Sequence, residues 1–157
     1  GETTFAFCTR QNPLPIEALA EQALRNLREE QVKLDPIDVQ GCEMIVASGG
    51  FYAAEKILDD RFLATLHARL SSPLLALGTP ARGLLMATSA SQDPERIATF
   101  AALVRMRFEE AASHAVSPSV MIASEGRVVG FARLGTEAEP KGDEPKSGWF
   151  RRWFGKS

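Results

Sequence analysis

The turn Ser48-Gly49-Gly50 is the first place in the chain where residue types suggest binding chemistry. It separates an apolar run from a helical stretch. Glycines before a helix leave backbone N–H groups free to meet an anion at the positive end of the helix dipole. The pattern lacks the spacing of a dinucleotide loop and the Lys-Ser/Thr of a phosphate-binding loop. We therefore interpret it first as a tight turn, and alternatively as a small-ligand site formed by Ser48, Gly49, Gly50 and Tyr52.

Residues suited to nucleophilic or metal chemistry are few. Cys8 and Cys42 belong to no CxxC or Cys/His pattern, so we expect free thiols, with a Cys8–Cys42 disulfide as the alternative. His67 and His114 have no further ligand at the i, i+4 spacing of helical metal sites. The adjacent acids Asp59-Asp60 point about 100° apart on a helix, which indicates a solvated face rather than an acid/base pair. We predict no catalytic residue, no metal and no cofactor.

The last nine residues form a basic and aromatic tail that contains both tryptophans of the chain. On a helix at about 100° per residue, its four rings would fall on one side and its two arginines on the other. This separation is typical of segments that lie at a membrane interface. We predict that the tail binds an anionic membrane surface or a protein partner through Trp149, Phe150, Arg151, Arg152, Trp153 and Phe154.

Composition and charge divide the chain into three parts. The 157 residues, of which 45% are hydrophobic, suffice for one core, which we assign to residues 1–134. Residues 135–148 contain no large apolar side chain and are predicted to be a flexible polar linker, followed by the tail 149–157. Since the net charge of −2 includes four basic residues clustered in 146–157, the body is acidic, and we expect no nucleic-acid partner.

Periodicity within residues 1–134 predicts the order β-α-β-α-β-β-α-β-β. The elements are a strand at Thr3–Cys8, a helix from Pro15 that Asp35-Pro36 ends, a strand at Cys42–Ala47, a helix from Phe51 to about Leu70, a hairpin of the runs 73–77 and 84–88, a helix capped by Asp93 with Pro94 at its first position, and a hairpin of 120–123 and 127–134. Interleaved hairpins and helices favour an α+β fold, with one mixed or antiparallel sheet and helices packed mainly on one face.

The run from Ser48 to Leu58, followed by Phe62-Leu63 and by Leu75 to Pro80, resembles the YtpQ-like family of uncharacterised bacterial proteins. Within these runs, the resemblance depends on Tyr52, Ala54, Ile57, Leu58 and Pro80. Outside them, it depends on Asn26, Leu27 and Gly126. It extends over about Thr3 to Leu134. The resemblance implies a bacterial origin and an α+β fold, and it supplies no catalytic residues because the family's activity is not established.

These observations predict a non-catalytic binding or scaffold domain of a cytoplasmic bacterial protein. Its tail would dock it to a protein partner or, peripherally, to the inner membrane, since no apolar run approaches the roughly 20 residues that span a bilayer. Self-association is compatible with the pattern. The alternative is an enzyme or small-ligand domain with a pocket near Ser48–Tyr52.

Overall fold

The computed structural model of the chain describes residues 15–133, which form three successive helix-strand-strand units. The elements are α1 (Ile16–Glu29), β1 (Lys33–Val39), β2 (Cys42–Ser48), a connecting 3-10 helix (Ala54–Leu58), α2 (Asp60–Arg69), β3 (Leu74–Ala81), β4 (Leu84–Ser89), α3 (Pro94–Glu110), a 3-10 turn (Ala112–His114), β5 (Ser119–Ser124) and β6 (Arg127–Arg133). The predicted strand Thr3–Cys8 lies outside the described residues.

The six strands form one antiparallel sheet in the order β1-β2-β4-β3-β5-β6. Each unit contributes a hairpin, and the middle hairpin joins its neighbours through the pairs β2–β4 and β3–β5. The turns of the outer hairpins place two successive residues at positive φ, Gln40-Gly41 and Glu125-Gly126. Two positive φ values in a two-residue turn match the right-handed twist of the flanking strands. The outer hairpins are therefore closed by local backbone geometry.

Both faces of the central strands are apolar, and each is covered by one helix. Side chains from α3, including Phe100 and Val104, pack on one face, whereas Leu63 and Leu66 of α2 pack on the other. Consecutive strand residues alternate between the two cores, as Ala76 and Leu77 do in β3. The α+β class with one antiparallel sheet is confirmed. The helices do not lie mainly on one face as expected, because the central strands carry continuous rather than alternating apolar runs.

The region before β2 differs from the sequence-based expectation. The first helix was expected to continue to Asp35-Pro36, but α1 ends at Glu29 and residues Lys33–Val39 form the edge strand β1. Pro36 is paired with Ile45 inside this strand. A proline is tolerated there because an edge strand has no neighbour on its outer side. The order over the described residues is therefore α-β-β-α-β-β-α-β-β.

The remaining helices agree with prediction except at one break. The Asp93 side chain accepts the N–H of Arg96 at 3.0 Å and Pro94 is the first residue of α3, as expected. The helix expected from Phe51 to about Leu70 is instead the connecting 3-10 helix followed by α2. The two are separated by Asp59, whose backbone is extended and whose side chain caps α2.

Candidate partner-binding surface

The turn that follows β2 is packed against the connection between α1 and β1. A Cβ atom at Gly50 would lie 2.7 Å from Glu30 Oε1, 3.0 Å from the Gln31 carbonyl oxygen and 3.1 Å from Val32 Cγ1. Gly49 has φ +86°, where an L side chain is strained. The helix after the turn has five residues and no side-chain cap, so Ser48 does not cap it. Both glycines are thus explained by close packing and backbone conformation.

The same turn presents two aromatic rings to solvent. Phe51 is 60% exposed and Tyr52 is 51% exposed, although both are large hydrophobic residues. Their ring centroids lie 5.0 Å apart in an edge-to-face arrangement with an interplanar angle of 83°, which is a favourable geometry for aromatic pairs. The rings therefore stabilise each other while they remain accessible to solvent.

Arg82 completes this surface from a distant part of the chain. Its guanidinium carbon lies 5.3 Å from the centroid of the Phe51 ring, within cation–π distance. Its backbone N–H donates to the His114 carbonyl at 2.9 Å. A Cβ atom at Gly83 would lie only 3.2 Å from the Gly50 carbonyl oxygen, so the β3–β4 turn rests on the ring-bearing turn. We call Phe51, Tyr52 and Arg82 the aromatic surface.

A buried ion pair lies at the connecting 3-10 helix, which follows Phe51 and Tyr52 along the chain. Lys56 Nζ lies 3.2 Å from Asp59 Oδ2, and each side chain is only 4% exposed. Lys56 Nζ also donates to the Arg28 carbonyl at 3.4 Å and lies 5.6 Å from the centroid of the Phe62 ring. Asp59 Oδ1 accepts the N–H groups of Arg61 and Phe62. One charge pair thus connects the end of α1, the connecting 3-10 helix and the start of α2.

The two adjacent acids of the sequence have different environments. Asp60 is exposed and bonds the Arg28 guanidinium at 3.1 Å; this hydrogen bond is the main reason that its pKa is lowered. Asp59 is buried with Lys56. The expectation of a solvated face is therefore correct for Asp60 and wrong for Asp59. Sequence reasoning missed the Lys56–Asp59 pair, for which the i, i+3 spacing of opposite charges was the only available signal.

The remaining candidates for chemistry do not come together. Cys42 is a free, fully buried cysteine, and burial raises its pKa despite a hydrogen bond with Thr88. His67 Nδ1 lies 2.7 Å from the Ser72 carbonyl oxygen, whereas His114 is exposed. Across residues 15–133, no group of three or more His, Cys, Asp or Glu side chains could hold a metal ion.

Two open grooves lie away from the aromatic surface. One, of about 510 Å³, runs between the β1–β2 hairpin and the end of α2 near Arg69. The other, of about 670 Å³, lies at the start of α3 beside Asp93 and Arg96. Neither groove includes Ser48, Gly49, Gly50 or Tyr52. The residues named as a ligand site from the sequence lie on the turn that carries the exposed rings, and their role as a ligand site stays a prediction.

Several sequence-based predictions concern segments beyond the described part of the chain. These are Cys8 with its alternative disulfide, the linker 135–148, and the tail residues Trp149, Phe150, Arg151, Arg152, Trp153 and Phe154. For the tail and the linker, the sequence-based expectations stay predictions. Within residues 15–133, no helix has the length and apolar character needed to cross a membrane.

Comparison with known proteins identifies no relative of this chain. No protein-family model, no curated protein and no solved structure matches it. The resemblance to the YtpQ-like family therefore stays a prediction, and the aromatic surface has to be interpreted from its own geometry.

Proposed function

We propose that this chain is a non-catalytic binding or scaffold domain that recognises a protein partner through the aromatic surface. The observation that carries the proposal is the exposed Phe51–Tyr52 pair with the Arg82 guanidinium over the Phe51 ring. Aromatic residues and arginine are the residue types that dominate the binding energy of protein interfaces. Two adjacent rings that stay more than half exposed present apolar surface whose burial by a partner would lower the free energy.

The close packing around the turn supports the same proposal. Close packing of Gly50 on Glu30 and Gln31 limits the backbone of the turn, and the β3–β4 turn packs on it from the other side. The turn therefore loses little conformational entropy when a partner binds to it. The packed interior of the turn also favours a ring-mediated contact over the alternative of a small-ligand pocket near Ser48–Tyr52.

Photo-crosslinking in the cells that make the protein tests this surface. A chain with p-benzoylphenylalanine in place of Tyr52 is expected to form a discrete adduct with one partner protein. The Arg82→Glu substitution in the same chain should weaken the adduct about tenfold, because it removes the cation over Phe51 and reverses the charge. The matched control carries the same photo-reactive residue at Glu95, which is exposed on α3. Equal adducts from positions 52 and 95, or no effect of Arg82→Glu, would contradict the proposal.

For the tail we propose a second role, attachment to an anionic membrane surface on the cytoplasmic side. The support comes from sequence alone: four rings and two arginines within residues 149–154. Interfacial segments bury rings at the headgroup level and place cations against anionic lipids. The attachment is expected to be weak and reversible because the segment is short.

Vesicle cosedimentation tests the tail. The full chain is expected to pellet with phosphatidylglycerol-containing vesicles and to bind phosphatidylcholine vesicles less, whereas a chain that ends at Pro145 should pellet with neither. A full-length Trp149→Ala/Trp153→Ala variant keeps every charge and should lose most of the binding if the rings insert. Identical pelleting of the full and shortened chains would exclude the membrane role.

A further inference from the structure

Helix α1 is amphipathic, yet the described fold buries none of its residues. Six of its seven apolar side chains occupy an arc of about 140° at 100° per residue; they are Ile16, Leu19, Ala20, Ala23, Leu24 and Leu27. Ile16 is 75% exposed, Leu19 42% and Leu24 36%. The helix is held mainly by its C-terminal end, where the Arg28 carbonyl accepts from Lys56. An apolar stripe of this width normally packs against another element.

The apolar positions of α1 have a mirror pattern along the helix. About the midpoint between Glu21 and Gln22, Ile16 corresponds to Leu27, Leu19 to Leu24, and Ala20 to Ala23. A twofold interface requires that residue i contacts residue j of the second copy while j contacts i. Two antiparallel copies of α1 that cross at this midpoint therefore place apolar residues opposite apolar residues at every step. The alanines at the crossing point allow the two backbones to approach closely.

Charge complementarity points to the same occupant. Glu17 and Arg28 lie on the same flank of the apolar stripe, about 20° apart around the helix. In an antiparallel pair each flank of one helix faces the same flank of the other helix. Glu17 is then offset by about 3 Å along the helix axis from Arg28 of the second copy. Glu17 forms no ion pair among the described residues, and the Arg28 side chain is 38% exposed beside Asp60. Two intermolecular ion pairs thus accompany the apolar contact.

We propose that this chain forms a twofold homodimer through antiparallel packing of α1 on α1 of a second copy. The inference concerns a surface that the proposed function does not use, and it stands independently of the membrane role. An interface between two helices of 14 residues buries less than about 1,200 Å² of total accessible surface, which is the size typical of weak or transient complexes. A weak dimer with a Kd of roughly micromolar order is therefore expected.

Analytical ultracentrifugation of the full chain, over roughly two decades of concentration around 10 µM, tests the dimer. The chain is expected to shift from monomer to dimer across this range. Leu19→Asp should raise the dimer Kd by tenfold or more, because it buries a charge in the apolar stripe. Ala18→Asp adds the same charge to the opposite side of the same helix and should leave the Kd unchanged. Since α1 contributes no buried residue, circular dichroism should show both variants folded.

A charge exchange tests the antiparallel register. Glu17→Arg should weaken the dimer by about fivefold, and the double variant Glu17→Arg/Arg28→Glu should restore most of the affinity by re-forming both ion pairs in the reverse sense. Within the chain, Arg28→Glu replaces the exposed Arg28–Asp60 pair by two like charges, which at this exposure should cost only a small part of the stability of the fold. A monomer at every concentration, a Kd that Leu19→Asp leaves unchanged, or a failure of the exchange to restore affinity would each overturn the proposed dimer.

Discussion

Replacing Lys56 with methionine is expected to lower the free energy of unfolding by about 3 to 5 kcal/mol. The substitution keeps most of the side-chain volume but leaves the Asp59 carboxylate, 4% exposed, without its cation. A buried charge that loses its partner keeps the desolvation cost and loses the attraction that offset it. Because the Lys56 ammonium also bonds the Arg28 carbonyl, the end of α1 should loosen as well. Urea unfolding followed by circular dichroism measures the change.

A matched control is available on the edge strand. Lys33 pairs with Asp35 at 2.8 Å, but the two side chains are 73% and 36% exposed. Lys33→Met should therefore change the free energy of unfolding by less than about 1 kcal/mol. The double variant Lys56→Met/Asp59→Asn, which removes the unpaired charge but keeps a capping oxygen for α2, should recover part of the loss. Equal effects of Lys56→Met and Lys33→Met would contradict the importance of burial.

Replacing Gly78 with valine is expected to destabilise the protein by about 3 kcal/mol through overpacking. Gly78 lies in β3 opposite α3, and a Cβ atom there would come within 2.5 Å of Val104 Cγ2 and 3.0 Å of Val104 Cγ1. Val104 is itself fully buried, so it has no open space to move into. Valine favours strands, so the loss would have to come from the collision and not from strand propensity.

A compensating variant separates this collision from other causes. Val104→Ala alone should destabilise by roughly 2 kcal/mol because it leaves a cavity. The double variant Gly78→Val/Val104→Ala should be at least about 1 kcal/mol more stable than the sum of the single effects implies, since one added side chain fills the space that the other vacates. Additive effects in thermal and urea unfolding would argue against direct contact between the two positions.

Some elements were predictable because their signals are local. The start of α3 follows from a capping aspartate and a proline in adjacent positions, and Asp93 does cap the helix. The hairpin of β5 and β6 was marked by Glu125-Gly126, which adopts the positive φ values of a tight turn. Both signals act within a few residues, so they can be recognised without knowledge of distant contacts.

Strand β1 was missed for a physical reason. No turn residue interrupts the chain directly after Glu29, and Pro36 suggested a helix end instead of a strand interior. Residues Lys33–Val39 are extended because β2 provides a full antiparallel register from Val39 to Lys33. The Gln40-Gly41 turn that makes this possible is a weaker hairpin signal than Asn-Gly or Asp-Gly. Pairing with a neighbour outweighed local propensity here.

The candidate surface was only partly visible from sequence. The turn Ser48–Gly50 and Tyr52 were identified as a candidate ligand site, whereas Phe51 and Arg82 were not identified as part of any site. Arg82 reaches Phe51 only because the β3–β4 turn packs on the earlier turn, and Glu30 fills the space above Gly50. These contacts join residues about 20 to 30 positions apart in the chain. They depend on how the helix-strand-strand units pack, and the spacing of residues in the sequence does not predict that packing.

The sequence by itself determined the α+β class, the helix α3, the two later hairpins and the position of the Ser48–Gly50 turn, because capping, turn and periodicity signals act over a few residues. The tertiary structure decided which apolar and charged groups are covered. It divided α2 and α3 between the two faces of the sheet, buried Lys56 with Asp59, and left the stripe of α1 and the rings of Phe51 and Tyr52 exposed. Burial depends on contacts between distant residues, and it is burial that separates a solvated charge from a structural one and a core ring from a binding ring.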